Sequence, residues 1–211
     1  MDILLREEEI RVLGCLLEKK MSTPDYYPLS LNALIAACNQ KVSRDPVVTY
    51  GDRTVLRALE ALKQHQLVWL NSQGRVAKYK EGLVDAYHLT DAEAAVLCVL
   101  LLRGPQTIGE LRGRTERLYL FERLEDVTAV LTKLAERQFV AMLPRQPGQK
   151  EARYGHLFAG PPQPAAQPAA PIKTADVVPD RLAALENRVE AMAVELAELK
   201  QAFSELRRQF E

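Results

Sequence analysis

The chain has no excess of charge of either sign. Its 28 lysines and arginines balance 28 aspartates and glutamates, so the formal net charge at pH 7 is zero. A protein whose whole surface binds nucleic acid carries a basic excess, which is absent here. The balance also holds locally, with 12 basic and 11 acidic residues in 1–88, 10 and 9 in 89–159, and 6 and 8 in 160–211. Any phosphate-binding surface must therefore be a small patch.

Cysteines are few, and none has the spacing of a metal site or a redox motif. Cys15, Cys38 and Cys98 each lie among apolar residues in a predicted helix, so we expect buried thiols that pack as small hydrophobic groups. The longest apolar run, 94–102, is too short to span a bilayer, and no signal peptide pattern is present. These absences predict a cytoplasmic protein with no membrane segment.

Signatures of catalysis are also missing. His65, His88 and His156 are far apart in the sequence, and no HExxH, GxSxG or phosphate-loop spacing occurs. Most paired carboxylates fall on predicted helix faces or at helix caps. We therefore expect no enzymatic activity, no cofactor and no metal site.

One pattern occurs twice in the chain. A helical stretch at 54–64 leads into a hairpin with strands at 67–70 and 75–79, and the same pattern returns at 122–158. The matched apolar positions of the helix are Val55 with Val127, Leu59 with Leu131, and Leu62 with Leu134. Upstream, EIRVLGCLLEK (9–19) aligns without gaps with EAAVLCVLLLR (93–103). The chain therefore contains two copies of one unit.

Each copy is predicted to have three helices before its hairpin. In the first copy they cover about 7–20, 31–40 and 53–65, with Ser30 and Asp52 as N-caps of the second and third. In the second copy, 90–93 and 107–110 both fit the capping box at the start of a helix, and the third helix covers about 122–138. Gly104 and Pro105 end the first of these helices.

Three helices followed by a two-stranded hairpin are typical of a winged helix-turn-helix domain. The sequence thus predicts a mostly α-helical protein with small β-hairpins. Its predicted parts are winged-helix domain 1 (1–88), winged-helix domain 2 (89–159), a Pro/Ala-rich linker (160–179) and a C-terminal coiled-coil helix (180–211).

The coiled-coil prediction rests on apolar residues that alternate three and four apart, as in a heptad seam. The predicted dimerisation positions are Leu182, Leu185, Val189, Met192, Leu196, Leu199, Phe203 and Leu206, and Phe210 continues the pattern. A lone helix of this kind would expose its seam, so it needs a partner. We predict a homodimer, and the alternative is a helix that folds back onto the winged helices.

Three stretches resemble a known family. They are RVLGCLLEKKMSTPDYYPLSLNALIAACNQK (11–41), LRGPQTIGELRGRTERL (102–118) and LPRQPGQKEARYGHL (143–157). Together they resemble the signature stretches of the bacterial YceH-like family of unknown function. The resemblance covers about residues 5–159 and implies a tandem winged-helix fold. It implies no catalytic residue, ligand or established partner, and the tail beyond Gly160 lies outside it.

The third helix of the first copy is the candidate for DNA contact, because this helix enters the major groove in helix-turn-helix proteins. Two arginines one turn apart near a helix N-terminus suit phosphate or guanine contact. The predicted DNA-binding residues are Arg53 and Arg57 on this helix, Lys78 on the hairpin and Arg44 in the preceding loop. The plainer interpretation is a solvated helix face of mixed charge.

The second copy has carboxylates where the first has arginines. Glu125, Asp126 and Ala129 stand at the positions that match Arg53, Thr54 and Arg57. The basic residues of this copy form a possible second anion patch, comprising Arg112, Arg114, Arg117, Arg145, Lys150 and Arg153. The alternative is that they form ion pairs with the nearby Glu110, Glu116 and Glu151.

Our functional hypothesis from the sequence is a non-enzymatic, DNA-associated regulatory or architectural protein. The alternative is a protein–protein interaction scaffold in which the winged helices are docking modules. The neutral charge, the acidic third helix of one copy and the dimerising tail suit the alternative, and fold alone does not choose between them. The expected partners are a second copy of the chain and either duplex DNA or another protein.

Overall fold

The computed structural model describes residues 3–71, 76–145 and 151–160. The helices are α1 (Glu7–Ser22), α2 (Leu31–Cys38), α3 (Asp52–Gln64), α4 (Leu83–Tyr87), α5 (Asp91–Arg103), α6 (Ile108–Thr115) and α7 (Leu124–Glu136). The strands are β1 (Leu29–Ser30), β2 (Val68–Asn71), β3 (Lys78–Glu81), β4 (Val140–Met142) and β5 (Tyr154–His156). The protein is therefore mostly helical with small antiparallel sheets, which confirms this part of the fold prediction.

The first repeat (1–88) has a three-stranded antiparallel sheet in the order β1-β3-β2. Strands β2 and β3 form the hairpin after α3, with Val68 opposite Glu81. Strand β1 lies just before α2 and pairs with the other edge of β3. Neither β1 nor α4 was predicted, because a strand of 2 residues and a helix of 5 residues are too short to show a periodic pattern.

The second repeat (89–159) has the same order of elements. Helices α5, α6 and α7 precede the antiparallel hairpin of β4 and β5, in which Val140 lies opposite His156. The counterpart of β1 is a single bridge between Gln106 and Tyr154. The order of three helices and a hairpin is thus present in both repeats.

Local hydrogen bonds fix where the helices begin and end. In α5 the Thr90 hydroxyl accepts from the Glu93 amide, and the Glu93 carboxylate accepts from the Thr90 amide, as predicted. Gly104 ends α5 at φ +67°, a conformation that favours glycine. The N-cap of α3 is Gly51 and not the predicted Asp52, which is the first helical residue, so no side chain caps this helix.

The two repeats share one hydrophobic core, in which α1 packs against α5. Gly14 lies at the crossing, and a Cβ on it would come within 2.9 Å of Leu102 Cδ2 and 3.1 Å of Leu101 Cβ. Cys98, the residue that matches Gly14 in the second repeat, donates its thiol to the Gly14 carbonyl oxygen at 3.7 Å. The boundary at 88/89 therefore separates two sequence repeats within a single compact unit.

The segment before α1 is attached to the end of the second repeat. The Leu5 amide donates to the Phe158 carbonyl oxygen at 2.7 Å, and both side chains are buried. The Phe158 ring stacks on Phe139, with centroids 5.9 Å apart. The first residues described thus complete the core at the end of the unit.

Two further expectations concern the cysteines and the membrane. All three cysteines are free and buried, as predicted. Within the described ranges, no helix is both long enough and apolar enough to cross a bilayer. Apart from Gly160, the predicted linker, the coiled-coil helix and its dimerisation positions lie outside the described residues.

Candidate nucleic-acid interface

Helix α3 has an apolar inner face and a charged outer face. Val55, Leu59 and Leu62 are buried, whereas Arg53 and Arg57 are exposed. Their spacing of four residues puts the two arginines on the same face, one turn apart. Arg53 lies in the first turn, where the partial positive charge of the helix N-terminus adds to its own. This part of α3 forms the α3 surface, a local site that favours anions.

Arg57 on the α3 surface has an acidic neighbour. Its Nη2 lies 3.1 Å from Glu8 Oε1 in the first turn of α1, and the two side chains are 65% and 19% exposed. An ion pair this open to water contributes about 0.2–1 kcal/mol, so a phosphate group can replace Glu8 as the partner. Arg53 forms no ion pair with any described residue.

Lys78 lies at the start of β3, where it is exposed and opposite Asn71. It forms no ion pair with a described residue. The hairpin follows α3 after a short turn, and Lys78 is the first residue of its second strand. Its position leaves the ammonium group available for a phosphate.

The structure contradicts the expected DNA contact at Arg44. The side chain is fully buried, at 0% exposure, and its Nη1 and Nη2 donate to the Glu18 carboxylate at 2.9 and 2.7 Å. Nη2 and Nε also donate to the Ala37 carbonyl oxygen, at 3.0 and 3.2 Å. Burial works against the charge on Glu18, but hydrogen bonds from Arg44 outweigh it and lower the Glu18 pKa. Arg44 thus connects α1 to the loop before α3.

Helix α7 in the second repeat has the opposite charge at its start. Glu125 is exposed, and the Asp126 carboxylate accepts from the Arg123 amide at 3.1 Å. Arg123 also extends its guanidinium to Asp126 at 3.2 Å. These carboxylates stabilise the helix N-terminus and repel phosphate. Helix α7 is therefore not a second copy of the α3 surface.

The second predicted anion patch is not a single cluster. The Arg112 guanidinium donates to the carbonyl oxygens of Phe121 and Glu122, at 3.2 and 2.7 Å, and so holds the loop before α7. Arg153 donates to the Glu110 carboxylate at 2.9 Å. These two arginines are used in contacts within the second repeat.

The remaining members of that patch lie in different places. Arg145 is exposed just after β4, and Lys150 lies outside the described residues. Arg114 is 3.5 Å from Glu110, so the predicted ion-pairing alternative holds for Arg114 and Arg153. Arg114, in the last turn of α6, and Arg117, just after this helix, also line a cleft between the repeats.

This inter-repeat cleft has a volume of about 750 Å³. Its walls are the C-terminal halves of α1 and α5, the loop after α2 and the end of α6. The basic side chains on its lining are Lys19, Lys41, Arg103, Arg114 and Arg117. The sequence analysis missed the first three, because only the packing of α1 against α5 brings them near the arginines of α6.

A second concave surface lies between α6 and α7. This α6–α7 groove has a volume of about 560 Å³ and is lined by Ile108, Gly109, Leu124, Glu125, Thr128, Ala129, Thr132 and Glu151. Leu124 is 45% exposed. The groove combines apolar side chains with two carboxylates, and none of the described residues on its lining is basic.

Comparison with known proteins gives relatives along the whole chain. The family model DUF480, described as a protein of unknown function, matches residues 5–149. A UPF0502 protein of Solibacter usitatus is 49% identical over 212 residues, covering 100% of both chains. One from Geobacter sulfurreducens is 48% identical over 219 residues, again covering 100% of both. Another from Citrifermentans bemidjiense is 55% identical over 166 residues, covering 77% of each.

Proposed function

The chain belongs to the DUF480 family of proteins of unknown function, and from this premise we propose that it is a non-enzymatic, DNA-associated protein of regulatory or architectural type. In this proposal each repeat is a winged helix. The first repeat contacts duplex DNA through the α3 surface, with Lys78 of the hairpin on a neighbouring phosphate. A cytoplasmic location remains part of the expectation.

The observation that supports this proposal is the exposed arginine pair on α3. Arg53 and Arg57 lie one turn apart at the start of a helix whose inner face is buried, so the backbone holds both guanidinium groups on one side. In three-helix variants of the helix-turn-helix, the third helix is the recognition helix that enters the major groove. In the hairpin that follows it, Lys78 is exposed at the start of β3.

The proposed contact is small, as the balanced charge of the chain requires. Three basic side chains supply the contact in the first repeat, and α7 supplies none in the second. The interaction depends on displacing counterions from phosphates, so it weakens steeply as salt rises. One winged helix per chain then binds weakly, and two chains joined as a dimer bind more tightly through avidity.

A salt titration of duplex DNA tests the proposal. We compare the full chain with R53A/R57A and with the matched control K133A/R145A, which removes two exposed cations from the second repeat. Removing two phosphate contacts reduces the slope of log affinity against log salt by about 1.8 for R53A/R57A. The control retains the parent slope. Binding that ignores salt, or an equal loss in both double variants, contradicts the proposal.

A second candidate function is a protein–protein interaction scaffold, which the α6–α7 groove favours. Exposed Leu124 beside Glu125 suits a partner segment with apolar and basic side chains. A photo-crosslinking residue in place of Thr128 in the groove, with Lys133 as the control position, tests this. A discrete adduct formed at position 128 and not at 133 supports the scaffold. Identical patterns at the two positions contradict it.

The predicted homodimer is the remaining part of the proposal. The heptad seam from 182 to 210 predicts that two chains associate through their C-terminal helices. Light scattering on the full chain and on a form that ends at Gly160 checks this. We expect a dimer mass for the first and a monomer mass for the second. A monomer mass for both contradicts the coiled-coil dimer and supports the folded-back alternative.

A further inference from the structure

The inter-repeat cleft concentrates positive charge in a chain whose net charge is zero. Among the described residues, its lining has five basic side chains, Lys19, Lys41, Arg103, Arg114 and Arg117, and one acidic side chain, Glu18. The Glu18 carboxylate already accepts two hydrogen bonds from the buried Arg44 and lies 3.4 Å from Lys19. The one carboxylate on the lining therefore does little to neutralise the cations around it.

Two of these cations have no counter-ion within the part of the chain that the structure describes. Lys41 and Arg117 are exposed, and neither forms an ion pair with a residue of the described ranges. Lys41 follows α2 of the first repeat and Arg117 follows α6 of the second, so the cleft brings together equivalent ends of the two repeats. Positive side chains from both repeats therefore line the same cleft.

The half-buried Arg103 extends this cluster toward the interior. Its Nη2 donates to Ser43 Oγ at 2.7 Å, which joins the end of α5 to the loop of the first repeat. Burial, and after it the charges of Arg114 and Arg44, lower the pKa of Arg103. An anion placed between Arg103 and Arg114 stabilises the charged form of Arg103. It replaces the hydration that burial removes, and it offsets the repulsion between the two guanidinium groups.

Helix ends explain only part of the cluster. Lys19, Arg103 and Arg114 lie in the last turns of α1, α5 and α6, where cations are favourable for the helix dipole. Lys41 and Arg117 lie beyond the last helical residues, so they are not needed for that purpose. They are the cations of the cleft that the helix ends do not account for.

We propose that the inter-repeat cleft binds a small organic polyphosphate, with the phosphate chain held between Lys41, Arg103 and Arg117. Compact, strongly charged phosphate groups are the anions that converging lysine and arginine side chains select. The cleft volume of about 750 Å³ is in the range of small-molecule sites. Val99, Leu102 and Leu118 on the same lining provide apolar contact for the organic part.

A ligand in this cleft touches both repeats at once. Lys41 and Ser43 belong to the loop that leads from α2 toward α3, and Arg103 and Arg117 belong to the second repeat. Binding free energy is therefore added to the contact between the repeats, and it stabilises the folded unit by mass action. The site is separate from the α3 surface, so it does not depend on the proposed DNA contact.

Titration calorimetry on the full chain at low salt tests the proposal, with inorganic triphosphate, ATP and adenosine as probes. We expect saturable binding of triphosphate and ATP, no binding of adenosine, and affinities that fall as salt is added. Tighter binding of ATP than of triphosphate shows that the apolar residues hold the organic part. The absence of saturable binding for both phosphate compounds overturns the proposal.

Variants locate the binding within the molecule. K41A/R117A removes two exposed cations that form no ion pair with a described residue, so it leaves the thermal midpoint unchanged and weakens triphosphate binding by about tenfold or more. The matched control K133A/R145A, with the same change of net charge, binds like the parent. R103Q tests the inner end of the cleft and is expected to weaken binding while the chain stays folded. Equal affinities for the parent, K41A/R117A and R103Q overturn the assignment.

The DNA variants separate this inference from the proposed function. R53A/R57A binds triphosphate like the parent, whereas K41A/R117A keeps the salt dependence of duplex binding. If K41A/R117A loses duplex binding in parallel with triphosphate binding, the cleft is part of a nucleic-acid surface, and the small-molecule assignment is overturned. If duplex binding is absent in every variant, the triphosphate titrations still show whether the cleft binds a polyphosphate.

Discussion

Helix α3 of the first repeat and helix α7 of the second bury matching residues and expose opposite charges. Val55 and Leu59 in α3 correspond to the buried Val127 and Leu131 in α7. At the exposed start of each helix, however, Arg53 in α3 has its counterpart in Glu125. The packing of the two helices was thus kept while their exposed surfaces diverged. A repeated fold is therefore not evidence for a repeated function.

The interiors of the repeats also differ, and there the changes come in pairs. Buried Glu81 on β3 accepts a hydrogen bond from Lys20 at 2.6 Å. In the second repeat, His156 has the equivalent place on β5, and the position that matches Lys20 is Gly104. Both members of the ion pair are therefore absent together. A buried charge without its partner is costly, so the two positions are expected to change as a unit.

The largest expected effect comes from breaking the ion pair between Arg44 and Glu18 in the first repeat. R44L removes the buried cation that pairs with Glu18 and leaves this carboxylate only Lys19, at 3.4 Å, so it is expected to lower the free energy of unfolding by about 3–5 kcal/mol. The second repeat has Leu102 at the position of Glu18, so E18L/R44L imitates its apolar interior and is expected to recover part of the loss. Denaturant unfolding of both variants measures the difference.

The exposed pair of Lys63 and Glu60 provides the control for that experiment. K63A is expected to cost less than about 1 kcal/mol, because water screens the pair. If R44L costs no more than K63A, the interior ion pair does not distinguish the first repeat from the second.

The second effect is the acid sensitivity of the second repeat. Burial lowers the pKa of His156 to about 4. Below its ordinary pKa near 6.5, the unfolded chain binds a proton that the folded chain binds only near pH 4. The free energy of unfolding is therefore unaffected above pH 6.5 and falls by about 2–3 kcal/mol between pH 6.5 and 4. Denaturant unfolding across this pH range measures the fall.

H156F is expected to remove this part of the acid sensitivity, since its ring is uncharged at every pH. The exposed His88 serves as the control, and H88Q is expected to keep the pH dependence of the parent. Parallel pH profiles for H156F and the parent would show that His156 does not set the acid response.

The third effect concerns two glycines in helices of different repeats. A Cβ on Gly14 meets Leu102 Cδ2 at 2.9 Å, so G14A is expected to cost about 1–2 kcal/mol through overpacking at the crossing of α1 and α5. A Cβ on Gly113 in α6 would have no neighbouring atom within 4 Å, so G113A is expected to add about 0.5–1 kcal/mol. Thermal and denaturant unfolding compare the two. If G14A and G113A changed the free energy of unfolding in the same direction, the tight packing at the crossing of α1 and α5 would be contradicted.

The smallest effect is expected when the arginine pair of the α3 surface is introduced into α7. E125R/A129R gives α7 the arginine pair of α3 and leaves Asp126, which accepts from the Arg123 amide, in place. We expect duplex affinity at low salt to rise severalfold, because two phosphate contacts are added. E125Q/A129Q removes the carboxylate without adding cations and serves as the control. An equal rise in both variants would mean that removing repulsion alone is sufficient.

Much of the fold could be predicted because its signals are local. The capping boxes at Thr90 and Thr107 each depend on a residue three positions further on, and both are present. The buried stripe of α3 follows from the spacing of Val55, Leu59 and Leu62. Such patterns are complete within one turn or two of a helix, so the sequence contains all the information they need.

The candidate sites were harder to predict because they depend on contacts between distant residues. Arg44 looked like an exposed loop residue, but its partner Glu18 lies on helix α1, 26 positions earlier. The inter-repeat cleft combines Lys41 with Arg117, which only the packing of α1 against α5 brings to one place. A basic residue in a sequence thus predicts a positive charge. Whether that charge is buried in an ion pair or exposed to a ligand depends on the residues that pack around it.

The hydrogen bond from Leu5 to Phe158 bears on how the protein is made. Leu5 is synthesised long before Phe158. The newly made first repeat therefore lacks the Phe158 carbonyl oxygen that accepts a hydrogen bond from the Leu5 amide. Completion of that repeat is thereby tied to synthesis of the second. A nascent chain arrested before residue 158 would leave the apolar side chain of Leu5 open to chaperones and proteases.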